Sequence, residues 1–572
     1  MVEVQARLTL SELCYSLGTM ARSRKIMIDS KRSITKVSIL VSSLAIIMAA
    51  GLTACTDKAD HSGKRILHIG NIGEPFSLDP HQASGTWENR ILGDMFMGLV
   101  TDNAAGEPIP GMASSWTTSE DGLVWTFKLR DAKWSDGNPV SAHDFVFAWQ
   151  RLFSNRPPAK YASLLFLIKN SEDIFNGTKP ATELGARAID DKTLEVTLTN
   201  PAPYFPGLMT HYTSFPIPKH VVEKLGNDWI KPANIVVNGA FKLTEWVPND
   251  FVHVVKNPEF FDALSVCLNE LYYYPTQDDT AAERRVKTGA LDIQTNFSGS
   301  RRAQIDRTLP GYARVSPYIA TTYYIFNTRK PPFDNPKVRE ALSLALDREF
   351  ITNEILKGGQ QPAYSLVPPG IIGYESGKVA HAWRTQSREQ RLVRARQLLA
   401  EAGYGANKPL HFTYSYRNSG DNPRVAPVAQ QNWRDIGPWV SVDLTATDVQ
   451  LHYEKLRQGD FEVGDAGWVA DFNDARSFLY NFFTPAGQMN YGKYSNPAYD
   501  ALVNQSDLER NAARRSEIMT EAERVAIDDD AIAPVYFYTN RNLVNPRVTG
   551  WVDNANDYHR SRFLCTRDAQ TK

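Results

Sequence analysis

The segment GWVADFNDARSFLYNFF (residues 467–483) places one carboxylate, that of Asp471, between Trp468 and Phe472 among large apolar side chains. A carboxylate buried without a partner costs several kcal/mol, so Asp471 is expected to reach solvent or to meet a cation. Two interpretations are open on this pattern alone. Asp471 binds a cationic group of a ligand, or it caps a helix that starts near Asn473.

Common catalytic motifs are absent from the sequence. It contains no phosphate-binding Gly-x-x-x-x-Gly-Lys-Ser/Thr loop, no His-Glu-x-x-His zinc helix, no Gly-x-Ser-x-Gly elbow and no Cys-x-x-Cys pair. The paired Asp278 and Asp279 lie in a turn-like stretch, where helix capping explains them better than acid–base catalysis. We therefore expect no enzymatic activity, no cofactor and no metal site. Aromatic clusters at 271–275, 321–327 and 534–540 are expected in the core or along a ligand cavity.

The first 54 residues resemble a secretory signal. A basic stretch at 31–36 precedes the uncharged apolar run 37–50 and the sequence LTAC, which ends at Cys55. The apolar run is too short for a membrane span, which needs roughly 20 residues. LTAC resembles a lipobox, so Cys55 is the expected mature N-terminus and lipid attachment site. An ordinary signal peptide with an incidental cysteine is the alternative.

Charge and cysteine content narrow the class of partner. Residues 56 onward with Cys55 carry 56 basic and 61 acidic residues, a net charge of about −5, which argues against nucleic acid as a partner. Export also places Cys267 and Cys565 in an oxidising compartment. These two cysteines either form one disulfide or stay as separate thiols.

Alternating strand and helix patterns predict α/β or α+β lobes. Residues 123–137 and 194–200 predict strands, and residues 241–262 predict a hairpin that turns at 248–250. Capping patterns predict helices that start near Ser141, Asn335 and Ser387, the second of them running through residue 356.

Several blocks in order along the chain resemble the periplasmic oligopeptide-binding proteins, the solute-binding subunits of peptide ABC importers. The resemblance extends from about residue 66 to the C-terminus. Its blocks are GEPFSLDPH (73–81), MASSW (112–116), WTFKLRDAKWSDGNPVSAHDFVFAWQR (125–151), NGAFKLTEW (238–246), KNPEFFD (256–262), YYIFNTRKPPFDNPKVREALSLALDR (323–348), LLAEAGY (398–404) and GWVADFNDARSFL (467–479).

The resemblance implies an α/β, two-lobed periplasmic binding protein type II-like fold with an additional third domain. In this numbering, lobe I would comprise residues 56–96, 222–319 and 540–572. The additional domain would be residues 97–221, and lobe II would be residues 320–539. Closure of the two lobes about a hinge would enclose the ligand.

The resemblance also implies the site. The family aspartate that binds the α-ammonium of a peptide corresponds to Asp471, and main-chain groups of both lobes would bind the extended peptide. The further residues that would line the peptide are Ser84, Gly85, Thr86, Tyr161, Gly467, Trp468, Val469 and Tyr538.

The sequence departs from the family at the other end of the ligand. Family positions that carry basic residues for the peptide carboxylate correspond to Leu356, Pro423 and Asp465, none of them basic. Arg457 is the nearest substitute in sequence. We therefore expect a preference for longer peptides, for basic peptides that meet Asp465, or for modified peptides, over ordinary di- and tripeptides.

The usual family disulfide is also missing, because its positions correspond to Ala320 and Val469. Cys267 and Cys565 both map to lobe I and would replace it.

The function expected from these residues is a monomeric periplasmic receptor, lipid-anchored through Cys55, that delivers oligopeptides to an inner-membrane ABC permease. Alternatives are a receptor of the same fold for murein peptides or a non-peptide solute, and an exported hydrolase.

Overall fold

The computed structural model describes residues 63–155, 157–484 and 489–567. The chain from Lys64 onward forms one compact unit. The expected signal peptide and Cys55 lie outside the described residues. Within the described ranges, no helix is both long enough and apolar enough to cross a bilayer.

Strands and helices alternate along the chain, as the sequence pattern predicts. The strands are β1 Ile66–Gly70, β2 Val100–Asp102, β3 Pro108–Pro110, β4 Ala113–Thr118, β5 Val124–Leu129, β6 Ala186–Asp190, β7 Thr193–Thr197, β8 Phe241–Val247, β9 Phe251–Lys256, β10 Glu270–Tyr274, β11 Ile293–Gln294, β12 Ala313–Phe326, β13 Gln361–Pro362, β14 Leu410–Arg417, β15 Val440–Thr447, β16 Val463–Val469, β17 Ile532–Val544, β18 Val548–Thr549 and β19 Cys565–Thr566.

The α-helices are α1 Thr86–Met95, α2 Ala142–Ser154, α3 Ser171–Phe175, α4 Phe205–Leu208, α5 Lys219–Leu225, α6 Asp279–Lys287, α7 Arg302–Thr308, α8 Pro336–Ala345, α9 Arg348–Phe350, α10 Arg388–Glu401, α11 Asn422–Arg434, α12 Val449–Gln458, α13 Arg476–Leu479, α14 Pro497–Leu508 and α15 Ala512–Asp528.

A large mixed sheet runs through the molecule in the order β15-β14-β16-β12-β17-β11-β1-β10-β9-β8, with β13 on β17. Its long strands β12 and β17 pair antiparallel along most of their length and connect the two halves of the sheet. Their register shifts between Pro317 and Thr321, so the ladder is interrupted near the middle of β12. A separate four-stranded sheet has the order β4-β5-β7-β6.

Local sequence signals account for many of the element boundaries. Ser141 and Asp144 form the predicted capping box of α2, and Ser387 and Gln390 form that of α10. Asp278 caps α6 through hydrogen bonds from Thr280 N and Ala281 N, as expected for this pair of aspartates. The predicted hairpin is β8–β9.

The helix predicted from Asn335 through residue 356 is wrong in its length. It starts as predicted, with Asn335 as N-cap and Pro336 in the first turn, but α8 ends at Ala345. The physical reason is the fully buried Arg348, whose guanidinium donates hydrogen bonds to the carbonyl oxygens of Ser343 (2.9 Å) and Ala363 (2.9 Å). A continuous helix would engage the Ser343 carbonyl internally, so the chain restarts at α9 and continues as a π-helix, Ile351–Leu356.

Cys267 and Cys565 form a disulfide with a Cα–Cα distance of 5.4 Å, so the first of the two alternatives for these cysteines is confirmed. The bond ties the loop before β10 to β19 near the C-terminus across 298 residues of sequence. Ala320 and Val469, which occupy the usual family disulfide positions, lie opposite each other in the β12–β16 ladder.

Candidate functional site

Asp471 follows the end of β16 and lies just before α13. Its backbone N–H donates to Ser477 Oγ at 3.2 Å, and Ser477 Oγ also accepts from Trp468 Nε1 at 3.2 Å. Ser477 is buried, so its hydroxyl fixes the main chain at Asp471 and the indole ring of Trp468. The carboxylate itself has no ion pair or hydrogen bond within the described residues.

The environment of Asp471 disfavours its charge. Burial raises the pKa of the Asp471 carboxyl to about 7. Its helix-cap interpretation is excluded, because α13 has Ala475 as N-cap and the nearest carboxylate is Asp474, which accepts from Arg476 N at 2.9 Å. A partly buried carboxylate without a partner is suited to a cation that arrives with a ligand.

Tyrosines from other parts of the chain lie within electrostatic range of this carboxylate. Burial, followed by the negative charges of Asp471 and Glu88, raises the pKa of Tyr161 to about 12. Burial and nearby charges, including that of Asp471, also raise the pKa of Tyr558 to about 12. Tyr212 packs edge-on against Tyr161 with ring centroids 6.1 Å apart. The structure therefore places Asp471 and Tyr161, both predicted site residues, within electrostatic range of each other.

Residues 84–86 form the start of α1. Gly85 is its N-cap, and the backbone N–H groups of Ser84 and Gly85 donate to Glu88 Oε2 at 2.7 and 2.6 Å. Lys160 Nζ donates to Ser84 Oγ at 3.2 Å. These two N–H groups are thus already bonded within the chain, whereas Thr86 is exposed and borders a cavity.

Gly467, Trp468 and Val469 lie at the end of β16, opposite Thr322, Thr321 and Ala320 of β12. On the other side of β16, β14 pairs only as far as Gly464. The remaining edge of β16 has no strand partner within the described ranges, and Val469 is 45% exposed. An edge of this kind accepts an extended peptide by main-chain hydrogen bonds.

Gly467 lies next to the side chains of Tyr538 and Arg417, which come from other strands. A Cβ at this position would lie 3.4 Å from the Tyr538 hydroxyl and 3.8 Å from Arg417 Nη2. Tyr538 of β17 thus lies beside β16, and its ring packs against Tyr536 with centroids 5.3 Å apart.

The expectation that Asp465 presents a free negative charge is wrong. Asp465 is 1% exposed and pairs with Arg417, with Nη2 to Oδ2 at 2.7 Å and Nε to Oδ2 at 2.8 Å. His452 Nε2 lies 3.1 Å from its other oxygen. These partners hold the pKa of Asp465 below its ordinary value despite burial. Asp465 is therefore neutralised and does not attract basic ligand side chains.

Arg457 lies at the end of α12 and pairs with Glu454 of the same helix at 2.9 Å. The structure does not bring it to the Asp471 cluster. The arginine that sequence reasoning missed beside the strand edge is Arg417, the last residue of β14. Its signal is the alternating strand LHFTYSYR, whose end lies next to β16 in a parallel pairing.

A cavity of about 180 Å³ borders only some of these groups, and Asp471, Tyr161 and residues 467–469 do not line it. Thr86 of α1 and Tyr538 of β17 border it, as does Tyr558, one of the tyrosines near Asp471. A second cavity of about 140 Å³ shares Tyr318, Tyr538 and Thr539 with the first. The described residues contain no cluster of three or more His, Cys, Asp or Glu side chains suited to a metal ion.

Comparisons with known proteins identify the family of the chain. The model of the bacterial extracellular solute-binding proteins, family 5 middle region, matches residues 107–490. The periplasmic oligopeptide-binding protein OppA of Salmonella typhimurium is 39% identical over 528 residues, which cover 91% of this chain and 96% of that protein. The periplasmic murein peptide-binding protein MppA of Escherichia coli is 35% identical over 537 residues, covering 93% of this chain and 98% of that protein.

Solved structures extend the likeness to the fold. Haemophilus influenzae OppA in complex with RPPGFSPFR has a TM-score of 0.73 and 35% identity, covering 88% of this chain and 99% of that one. The expected α/β periplasmic binding protein fold is therefore confirmed. The chain belongs to the bacterial extracellular solute-binding proteins of family 5.

Proposed function

We propose that this periplasmic solute-binding protein captures oligopeptides and that Asp471 binds the peptide α-ammonium. The observation that carries the proposal is a partly buried carboxylate, without a partner in the described chain, whose charge acts on Tyr161 and Tyr558. A peptide N-terminus has a pKa near 8 and is cationic at neutral pH. Binding would supply the missing counter-charge and return Asp471 to its ionised form.

The peptide main chain would pair with the free edge of β16 at residues 467–469. Main-chain hydrogen bonds are common to every peptide sequence, so this mode binds many peptides with modest selectivity. Val469, exposed at the strand end, marks where the ligand would lie. The side chains around the ligand would be those of Tyr161, Tyr538, Trp468 and Thr86. Ser84 and Gly85, which directly precede α1, would also flank it.

The proposed domain division agrees with the position of the two long strands. Lobe I would be residues 56–96, 222–319 and 540–572, the additional domain residues 97–221, and lobe II residues 320–539. The boundaries at 319/320 and 539/540 fall inside β12 and β17, next to the register shift between Pro317 and Thr321. These crossings would form the hinge for closure on the ligand.

Delivery to an inner-membrane ABC permease follows from membership in a family of solute-binding proteins. We further propose attachment to the membrane by a lipid on Cys55 and a monomeric state in solution. The alternative within the same fold is a receptor for murein peptides, for which one relative is named, or for a non-peptide solute. Hydrolysis of the ligand is the competing function from another class.

Mass spectrometry of the protein purified from its own periplasm tests the proposal. Under native conditions the protein should carry a mass of one peptide, which denaturation releases intact. Added peptides should also be recovered uncut after prolonged incubation. Peptide fragments that accumulate with time would establish a hydrolase, and a retained solute without an amino group would contradict the role of Asp471.

A further inference from the structure

We propose that Arg541 binds a carboxylate of the ligand at the wall of the larger cavity, an inference that rests on the proposed peptide-binding function. Arg541 lies on β17 and borders the cavity of about 180 Å³ together with Thr295, Asn296, Thr539 and Asn540. These neighbours supply hydroxyl and amide groups around a cation. Such a lining suits an anionic group that enters with the ligand.

The guanidinium of Arg541 lacks internal partners. Its Nε and Nη1 atoms are both buried and have no hydrogen-bond partner in the described chain. No carboxylate of the described residues lies within 4 Å of it as an ion pair. Asp279 interacts with Arg541 only at longer range: the charge of Arg541 acts to lower the pKa of Asp279. The Asp279 carboxylate itself accepts a hydrogen bond from Asn296 at 3.3 Å. Buried guanidinium nitrogens without partners are costly unless an external group binds them.

Other arginines at the same cavity differ in this respect. Arg90 pairs with Asp557 at 3.8 Å and donates to Asn71 Oδ1 at 2.6 Å. Arg560 pairs with Asp102 at 3.7 Å. Each of these two arginines therefore has a carboxylate within 4 Å, whereas Arg541 has none among the described residues.

The local backbone is shaped for this side chain. A Cβ at Gly358 would lie 2.5 Å from Arg541 Nη1, so the guanidinium lies directly against the backbone at this glycine. Thr539 Oγ1 donates to Gly358 O at 2.9 Å and fixes this segment next to β17. Gly358 is two residues from Leu356, one of the positions where a basic residue is missing from the sequence. The guanidinium of Arg541, which comes from β17, thus lies close to the position of Leu356.

A carboxylate matches the planar guanidinium by two parallel hydrogen bonds. In a peptide it comes from the C-terminus or from an Asp or Glu side chain. Both sources share one chemistry, and peptide variants separate them.

The test is calorimetry with peptides of three to six residues. Each peptide is prepared as the free acid and as the C-terminal amide, and Glu or Gln is placed at one position at a time. We expect neutralising one carboxylate to weaken binding to the wild-type protein by about tenfold or more, because a charge-assisted bidentate bond is lost. Arg541→Gln should bind the charged and neutral peptides equally, and Arg541→Lys should keep part of the preference. The matched control is Arg514→Gln, which removes an exposed arginine paired with Glu517 at 2.8 Å and should leave the preference unchanged.

The folding of the variant is checked independently. Because Nε and Nη1 of Arg541 bond to no described group, Arg541→Gln should unfold at the same temperature as the wild type or above it. If amidation of the C-terminus weakens binding, Arg541 binds the terminal carboxylate. If replacement of Glu by Gln at one internal position weakens binding, Arg541 binds a side-chain carboxylate.

The inference is overturned if wild-type protein binds acid and neutral peptides equally, or if the preference survives in Arg541→Gln. Because peptides still bind in both of those cases, the proposed function would stand. If no peptide binds the wild-type protein at all, the proposed function and this inference fail together.

Discussion

Replacing Asp471 by asparagine should stabilise the ligand-free protein while removing the group proposed to bind its ligand. Asparagine keeps the shape of the side chain and removes the charge that burial disfavours. The pKa of the Asp471 carboxyl is about 7 in the folded protein against an ordinary value of 3.8. A difference of about three units corresponds to about 4 kcal/mol at 1.36 kcal/mol per unit, and partial exposure reduces this to roughly 2 to 4 kcal/mol.

The effect of the Asp471 charge on the free energy of unfolding depends on pH. Between about pH 4 and pH 7 the folded state retains the Asp471 proton that the unfolded chain has lost, so stability falls as the pH rises. The penalty is complete above about pH 7 and absent below about pH 4. Asp471→Asn should therefore raise the unfolding temperature at pH 8, by roughly 2 to 4 °C for a chain of this length, and leave it unchanged near pH 4.

The assay is thermal unfolding by circular dichroism after endogenous ligand has been removed by denaturation and refolding. Asp474→Asn is the matched control in the same segment. Asp474 pairs with Arg515 at 2.7 Å, so its substitution should lower the unfolding temperature at pH 8. If Asp471→Asn unfolds at or below the wild-type temperature at pH 8, the carboxylate is not an uncompensated charge and the reasoning is refuted.

Three further outcomes follow from the structure. Affinity for peptides with a free amine should fall about tenfold for each pH unit below about 7, because protonated Asp471 cannot pair with an ammonium. Calorimetry from pH 5 to 8 checks this, and an affinity that does not change with pH contradicts it. Thiol titration of the denatured, unreduced mature protein should detect neither Cys267 nor Cys565, and reduction should lower stability by about 2 to 5 kcal/mol; two reactive thiols would show that the bond does not form. Asp465→Ala should lower stability by about 3 to 5 kcal/mol, since it leaves Arg417 buried without its partner; urea unfolding measures this, and a neutral effect would contradict the pair.

Local patterns in the sequence predict much of the fold. The capping boxes at Ser141 and Ser387 and the hairpin at 241–256 depend on neighbours within a few residues, so they could be read before any tertiary contact was known. The end of α8 could not, because it depends on Arg348, which is buried against Ala363 and Pro534 from distant parts of the chain. Tertiary burial of one charged side chain thus overrides a helical pattern.

The candidate site divides in the same way. Asp471 could be singled out because a carboxylate between Trp468 and Phe472 is conspicuous in sequence, and the family resemblance supplied its role. The state of Asp465 could not be predicted, because Arg417 lies 48 residues away and reaches it only through the pairing of β14 with β16. Arg541 was missed because nothing in its strand sequence distinguishes it from a solvated arginine; only the cavity and its unbonded nitrogens do.

The central claim is that Asp471 captures a peptide by its α-ammonium, and calorimetry with a pair of peptides tests it most directly. One peptide has a free N-terminus and the other is N-acetylated, and both are titrated into ligand-free wild-type protein at pH 8. Loss of a buried charge-paired hydrogen bond costs about 2 to 5 kcal/mol, so acetylation should weaken binding by roughly 30- to 5000-fold. The same loss should be seen when the free peptide is titrated into Asp471→Ala. Acetylated peptide bound within threefold of the free peptide would contradict the claim.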